Sequence, residues 1–273
     1  MSIMASPYAI STPDNMLLAA LPAAEWEQAR QSFKAVFMPL GDVLYEATSI
    51  VNHLYFPTTA VLSVSYLIAD GRADGLTLIG REGFASVGVF LGAASAPCRA
   101  LVLVEGWAYR IKRELLGQAS ARGGSMRSVL LRYVQSYITQ VAQTTVCNQH
   151  HTINQQLCRW LLMYLDRQAS NELTLTHEHI AELMGVRRES VTHAASRLQT
   201  AGCIRYHRGH ISVVERTGLE ARSCECYGVA RRETDRLLEI SPRNTKMAVP
   251  HAAVDGFRIE RSTPAANASQ NSA

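Results

Sequence analysis

The sequence has no continuous apolar run of about 18 residues, the length from which a membrane-spanning helix is predicted. Residues 1–22 have no basic start ahead of an apolar stretch, so they do not resemble a secretory signal. The six cysteines lie scattered in a chain of 273 residues, unlike the dense cysteine framework of small secreted proteins. These absences together predict a cytoplasmic protein that does not enter a membrane.

Sequence motifs for catalysis are also missing. The chain has no GxxxxGK[ST] phosphate loop, no Gly-x-Ser-x-Gly elbow and no His-Glu-x-x-His pair. His177 and His179 do not predict a metal site, because ligands two positions apart point to different faces of a helix. No acid–base pair or metal set supports an active site, so we do not expect an enzyme.

The composition indicates a folded protein. Hydrophobic residues make up 47% of the chain and charged residues 18%, which suits globular domains with apolar cores. The length allows two modest domains with tails. The formal net charge of +4 permits an acidic partner such as DNA but does not require one.

Residues 36–112 consist of short runs rich in Val, Leu, Tyr and Phe, each ended by a turn signal. Three of these runs are Ala60–Tyr66, Leu76–Ile79 and Ala100–Val104, and Asp70-Gly71 and Gly80 are among the breaks. Many short strands at this spacing predict an antiparallel barrel or jelly roll.

The segment Ser125–Cys147 has no glycine or proline and predicts a long helix. Its apolar stripe recurs at spacings of three and four, as in a coiled coil. The residues predicted to form a dimer contact along this stripe are Leu130, Tyr133, Tyr137 and Val141. The alternative is that the helix packs on its own domain.

The segment Leu173–Leu198 has the spacing of a helix-turn-helix. Thr176 is placed to cap a first helix, and Ala181 is small where two helices would cross. Gly185 allows the chain to turn with a positive φ, and Val191 would be buried in the second helix. Such a second helix enters the major groove of DNA with its N-terminal side chains at the base edges.

Polar side chains cover the outward face of the predicted second helix. The residues predicted to contact DNA there are Arg187, Arg188, Glu189, Ser190, His193 and Arg197. The following segment, Gly202–Val214, predicts a two-stranded hairpin that turns at Arg208-Gly209 and forms a wing. Arg205 and Arg208 would place donors on this wing for DNA phosphates.

The stretch Gly185-Val-Arg-Arg-Glu-Ser-Val-Thr-His193 resembles the Gly-x-Ser-Arg-Glu-Thr-Val-Ser-Arg recognition stretch of the Crp/Fnr family of bacterial regulators. The resemblance covers roughly residues 25–215. It implies an α+β fold with an N-terminal cyclic-nucleotide-binding-like β-roll (a jelly roll), a long dimerisation helix and a C-terminal winged helix-turn-helix. It also implies a homodimer that binds a palindromic operator in double-stranded DNA and has RNA polymerase as a partner.

The resemblance assigns base and phosphate contact to Arg188 and base contact to Glu189. Arginine can bind guanine with two hydrogen bonds, and a carboxylate can accept one from cytosine. Two positions depart from the family pattern, since His193 stands where arginine is usual and Arg187 where serine is usual. The preferred operator is therefore expected to differ from the best-known sites of the family.

These features predict the following domain boundaries. They are a flexible N-terminal arm 1–22, a β-roll effector-like domain 23–118, a dimerisation helix 119–148, a winged helix-turn-helix domain 149–215, a charged helical extension 216–240 and a disordered tail 241–273.

Cyclic AMP is not an expected ligand, and no cofactor is predicted. Family members that bind it offer a Glu to the ribose and an Arg-Ser or Arg-Thr pair to the phosphate. Here Ser86 or Val87 stands near the expected Glu, and residues 94–96 (Ala-Ser-Ala) stand near the expected Arg. A buried phosphate without that arginine lacks its strongest partner. An iron–sulfur cluster is not expected either, since Cys224-x-Cys226 alone offers too few ligands. Haem or another effector stays open.

A second hypothesis is a small-molecule-binding sensor that acts through protein contacts. It predicts a ligand inside the roll and weak DNA affinity that does not depend on sequence. The recognition stretch favours the DNA-binding regulator over this alternative.

Overall fold

The computed structural model describes residues 14–68, 73–121, 124–168 and 170–238. It begins with helices α1 (Met16–Ala19) and α2 (Ala23–Ala29), followed by a 3-10 turn at Arg30–Ser32. Residues 14–22 are not part of a loose arm, contrary to the sequence-based expectation. Asn15 is buried, and its side-chain amide donates to the carbonyls of Pro57 and Gly83, each at 2.9 Å. Residues 1–13 of the expected arm lie outside the described residues.

Seven strands form the described part of the N-terminal domain, which is called the roll below. They are β1 (Lys34–Met38), β2 (Val43–Tyr45), β3 (His53–Pro57), β4 (Val61–Leu67), β5 (Ala73–Ile79), β6 (Arg99–Val104) and β7 (Gly106–Lys112). One antiparallel sheet has the order β1-β7-β3 and the other the order β2-β6-β4-β5. Side chains from both sheets share one core, as the predicted jelly roll requires, although the sheets do not close into a barrel.

Aromatic rings connect this core to the helices beside it. Phe33 packs edge-on against Phe56 with 5.5 Å between ring centroids, and Phe56 stacks on Phe84 at 5.2 Å. Phe84 in turn lies 5.0 Å from the ring of Tyr133. A Cβ atom at Gly83 would clash with the ring and hydroxyl of Tyr133, so the missing side chain of Gly83 leaves the space that the tyrosine fills.

Tyr133 belongs to the long helix α5 (Ser125–His150), which follows α3 (Val87–Phe90) and α4 (Arg113–Ala121). The long helix is confirmed. The predicted dimer stripe, however, faces mainly the core of its own chain and not solvent. Leu130 and Tyr133 are buried in the core of their own chain, and Tyr137 packs against that core. Val141 is half-buried.

A different face of α5 is exposed. Its residues, spaced alternately by four and three positions, are Leu131, Gln135, Ile138, Ala142 and Thr145. Ile138 is 52% exposed and Leu131 42% exposed, so two large apolar side chains lie on this one stripe. We refer to these five residues as the exposed α5 face. The spacing is that of a coiled-coil seam.

The C-terminal domain contains three helices and a small sheet. Its elements are α6 (Ile153–Leu165), β8 (Glu172–Thr174), α7 (His177–Met184), α8 (Arg188–Thr200), β9 (Ile204–His207) and β10 (His210–Val213). The antiparallel sheet has the order β8-β10-β9. Helix α6 begins at a capping box, in which the hydroxyl of Thr152 accepts from the backbone of Gln155.

The expected helical extension consists of two helices, α9 (Arg216–Arg222) and α10 (Glu225–Leu237). Arg216 pairs with Asp166 at the end of α6, with 2.6 Å between Nη2 and Oδ1. Helix α10 lies along α5, where the hydroxyls of Thr234 and Ser136 are 2.6 Å apart. The expected disordered tail lies outside the described residues. None of the helices in the described part of the chain is long and apolar enough to span a membrane.

Candidate nucleic-acid interface

Helix α7 begins and ends as local sequence signals dictate. The hydroxyl of Thr176 accepts from the backbone N–H of His179 at 3.2 Å and so caps the first turn. Gly185 ends the helix with a φ of 65°, and the N–H of Val186 donates back to the carbonyl of Ala181. This geometry turns the chain sharply toward α8.

The inner faces of α7 and α8 pack on each other and on α6. Ala181 and Val191 are buried there, together with Ile180, Ala195 and Leu198. The small side chain of Ala181 suits the close crossing of the two helices. This packing fixes which face of α8 points to solvent.

The outward face of α8 is polar. Its exposed residues are Arg188, Glu189, Thr192, His193, Ser196 and Arg197. Arg187, at the N-terminal boundary of the helix, is also exposed, whereas Ser190 is only partly so. Thr192 and Ser196 were not predicted, although they stand three positions after Glu189 and His193 respectively, which places them on this face.

Arg188 has a neighbour of opposite charge on the first helix. Its Nε lies 3.6 Å from Oε2 of Glu178, and both side chains are more than half exposed. An exposed ion pair of this kind stabilises by about 0–1 kcal/mol. The guanidinium of Arg188 can therefore turn toward another acceptor at little cost.

The wing forms at the predicted place. Arg208 and Gly209 both have positive φ, 46° and 85°, which is the geometry of a type I′ hairpin turn. Arg205, His207 and Arg208 are exposed on it. The exposed surface of α8 and the wing thus carries arginines from two separate elements of one domain.

His177 joins the two helices to the wing, a role that the sequence did not indicate. Its ring stacks on Tyr206 of β9 at 3.9 Å between centroids, and its Nδ1 lies 3.1 Å from the hydroxyl of Thr192 in α8. Burial, and to a smaller extent the positive charge of Arg188, lowers the pKa of His177. The domain therefore favours the neutral ring.

Arg167, just after α6, connects this domain to the roll. Its Nε lies 2.8 Å from Oε1 of Glu82, and its Nη2 donates to Oε1 of Gln140 in α5 at 2.9 Å. The backbone also approaches closely nearby, since a Cβ atom at Gly75 of β5 would clash with the carbonyl of Leu183 in α7. The helix-turn-helix domain is therefore in direct contact with the roll.

The stretch compared above with the cyclic-AMP cassette lies at the short helix α3 and in the chain that follows it. Ser86 is buried with a φ of 76°, and Val87 begins the short helix α3. Ala96 is buried and uncharged. Arg99 pairs with Glu46 at 3.4 Å, and Arg81 is exposed.

Comparison with known proteins agrees with this architecture. Residues 155–222 match the family model of the Crp-like helix-turn-helix domain. The structure is similar to FixK2 from Bradyrhizobium japonicum, with 16% identity and a TM-score of 0.58 over 70% of this chain and 98% of that chain. A CRP-family transcriptional regulator from Thermus thermophilus has 18% identity and a TM-score of 0.59, over 69% of this chain and 96% of that one. No curated protein matches significantly.

A third similar structure is the c-di-GMP-responsive global regulator CLP from Xanthomonas campestris, with 15% identity and a TM-score of 0.58 over 70% of this chain and 99% of that chain. The match and the shared fold identify the segment from α6 to α9 as a Crp-like helix-turn-helix domain. The fold of the described chain as a whole is similar to that of transcription regulators of the Crp/Fnr family.

Proposed function

We propose that the protein binds a palindromic operator as a homodimer and regulates transcription in the cytoplasm through contact with RNA polymerase. The observation that carries the proposal is the exposed polar face of α8, which lies beside a basic wing in one rigidly packed domain. The phosphate backbone of DNA supplies most of the affinity to such a surface, and base edges supply the specificity.

Specific reading of the operator falls to the first two turns of α8. Arg188 and Glu189 stand at its start, and His193 follows on the same exposed side. Arginine suits guanine, and a glutamate accepts from cytosine. Arg205 and Arg208 of the wing are placed for phosphates, which fix the register of the protein on the duplex.

The exposed α5 face supplies the dimer contact in this proposal. Two copies of α5 that pair along Leu131, Ile138 and their neighbours would remove these apolar side chains from water. The face is interrupted by Gln135, and a polar residue within such a stripe can specify register at some cost in stability. A two-fold dimer places its recognition helices in half-sites about one helical turn apart.

The effector, in this proposal, is not cyclic AMP bound in the usual way, because no arginine stands at the expected place in the cassette. An effector in the roll would act on DNA binding through the contacts between Arg167, Glu82 and Gln140. These contacts join the roll, α5 and the helix-turn-helix domain. A movement of one of these elements would therefore displace the others.

Selection from random duplex DNA by the full-length protein, with sequencing of the retained duplexes, tests the proposal. Sedimentation of the free protein should show a dimer, and the retained sequences should share a two-fold symmetric motif. A folded monomer, or a folded dimer that retains no common sequence under a range of small-molecule additions, would contradict it.

A further inference from the structure

Four metal-binding side chains converge where α5, α6 and α10 meet. Cys147 lies in the last turn of α5, and His151 lies just after that helix. Cys224 and Cys226 flank the start of α10. The three cysteines are buried and His151 is partly buried. The spacing Cys224-x-Cys226 by itself indicates only two ligands. The other two lie 75 or more positions away in the sequence and come close only in the fold.

The distances between these groups suit a single metal ion. All four ligand atoms lie within 4.8 Å of one another. The sulfurs of Cys147 and Cys224 are 3.5 Å apart, and the sulfur of Cys226 is 3.6 Å from Nδ1 of His151. A tetrahedral zinc site with three sulfurs and one nitrogen needs ligand separations of about 3.5–3.8 Å. An iron–sulfur cluster would need ligands set farther apart, because several atoms lie between them.

The histidine is oriented as a metal ligand is. Its Nε2 lies 3.2 Å from a carboxylate oxygen of Glu225, while Nδ1 points toward Cys226. A carboxylate that accepts from one ring nitrogen leaves the other nitrogen free to bind metal and fixes the tautomer. Metal-bound histidines very commonly have such a partner.

Among the described residues, a buried arginine beside the cluster has no carboxylate partner. Arg159 of α6 is 5% exposed, and its Nη2 donates to the hydroxyl of Thr144 at 3.0 Å. Within the described part of the chain its Nε has no hydrogen-bond partner. An isolated buried cation is costly. Three thiolates and a neutral histidine around a divalent ion carry one net negative charge, which Arg159 would balance.

We propose that Cys147, His151, Cys224 and Cys226 bind one zinc ion. Three thiol protons pass to solvent as the ion binds, since the thiolate is the ligand form. The site would join the start of α10 to the turn between α5 and α6. No oxidation or reduction is involved.

Zinc content and cobalt substitution test the site. We expect one zinc per chain in full-length protein purified under reducing conditions. Exchange for Co²⁺ should give the visible absorption of a tetrahedral thiolate site. Cys224→Ser and Cys226→Ser should lower the zinc content to near zero, whereas the matched control Cys98→Ser, in the roll, should keep it.

Two results would overturn the proposal. One is folded, reduced wild-type protein that holds no zinc and gives no cobalt spectrum. The other is a disulfide between Cys147 and Cys224, found in protein purified under reducing conditions and without metal. If the cysteine variants do not fold, a second measurement on folded proteins tests the site. A chelator should lower the melting temperature of wild type and of Cys98→Ser alike.

Discussion

Arg167 forms an ion pair with Glu82, 2.8 Å between Nε and Oε1, and both side chains are largely shielded from water. The same arginine donates to the carbonyl of Met163 at 2.7 Å and to Gln140. One side chain thus satisfies groups from the roll, from α5 and from α6. A buried pair of this kind is costly to break from one side, because the remaining charge stays unpaired.

The first prediction concerns this pair. Arg167→Met leaves Glu82 buried without its partner and should lower the free energy of unfolding by about 3–5 kcal/mol. Urea denaturation measures the change. The double variant Glu82→Leu/Arg167→Met should recover part of the loss, and Arg81→Met on the surface should change little. Equal free energies of unfolding for Arg167→Met and Arg81→Met would show that the ion pair does not stabilise the contact between the roll and the helix-turn-helix domain.

The second prediction concerns base reading, and it depends on the proposed function. Arg188→Ala should weaken binding to the selected operator by about 1–3 kcal/mol and relax the preference at one base pair. Titration of labelled duplexes at fixed salt measures both effects. Glu178→Ala removes the ion pair of Arg188 but no proposed DNA contact, so it serves as the control. The assignment fails if both variants bind the operator as wild type does.

The third prediction concerns the dimer. Ile138→Glu puts a charge into the middle of the exposed α5 face, so the dissociation constant of the dimer should rise tenfold or more, about 1.4 kcal/mol. Analytical ultracentrifugation measures it. Ile50→Glu makes the same change at an exposed position in the roll and should leave the dimer intact. A dimer that is unaffected by Ile138→Glu would place the interface elsewhere.

The fourth prediction concerns pH. Because the folded domain lowers the pKa of His177, the unfolded chain takes up a proton that the folded chain disfavours. The contribution to stability is complete above the unfolded pKa of about 6.5 and is lost as pH falls through the lower, folded pKa. Unfolding free energies should therefore decrease from pH about 7 to about 5.

His177→Phe keeps the stacking on Tyr206 but cannot take up a proton, so its stability should fall less over this pH range. His193→Phe, at an exposed position, should fall as wild type does. Parallel pH profiles for wild type and His177→Phe would mean that another group governs the acid response.

The parts of the fold that local sequence signals specify were predictable. Thr176 and Gly185 mark the two ends of α7, and Arg208-Gly209 marks the wing turn, because capping and turn formation depend on residues a few positions apart. The alternation of short apolar runs likewise predicted the roll.

Contacts between distant residues were not predictable in this way. The spacing of Leu130 and Tyr133 predicted a helix stripe, but it could not show that the missing side chain at Gly83 opens the core to Tyr133. The approach of Cys147 to Cys224, 77 positions apart, depends on how α10 returns along α5. A periodic pattern predicts that a helix has an apolar face. It does not predict which part of the structure packs against that face.

Helices α9 and α10 add a further connection between the two domains, besides the turn at His151 and the contacts of Arg167. Helix α9 is bonded to the end of α6 through Arg216, while α10 runs back along α5 to Leu238, which packs against the core of the roll. The C-terminal helices thus contact both domains, so the turn at His151 does not act as a single free hinge. Rotation of the helix-turn-helix domain against the roll would disturb these contacts of α9 and α10, so the C-terminal helices oppose that motion.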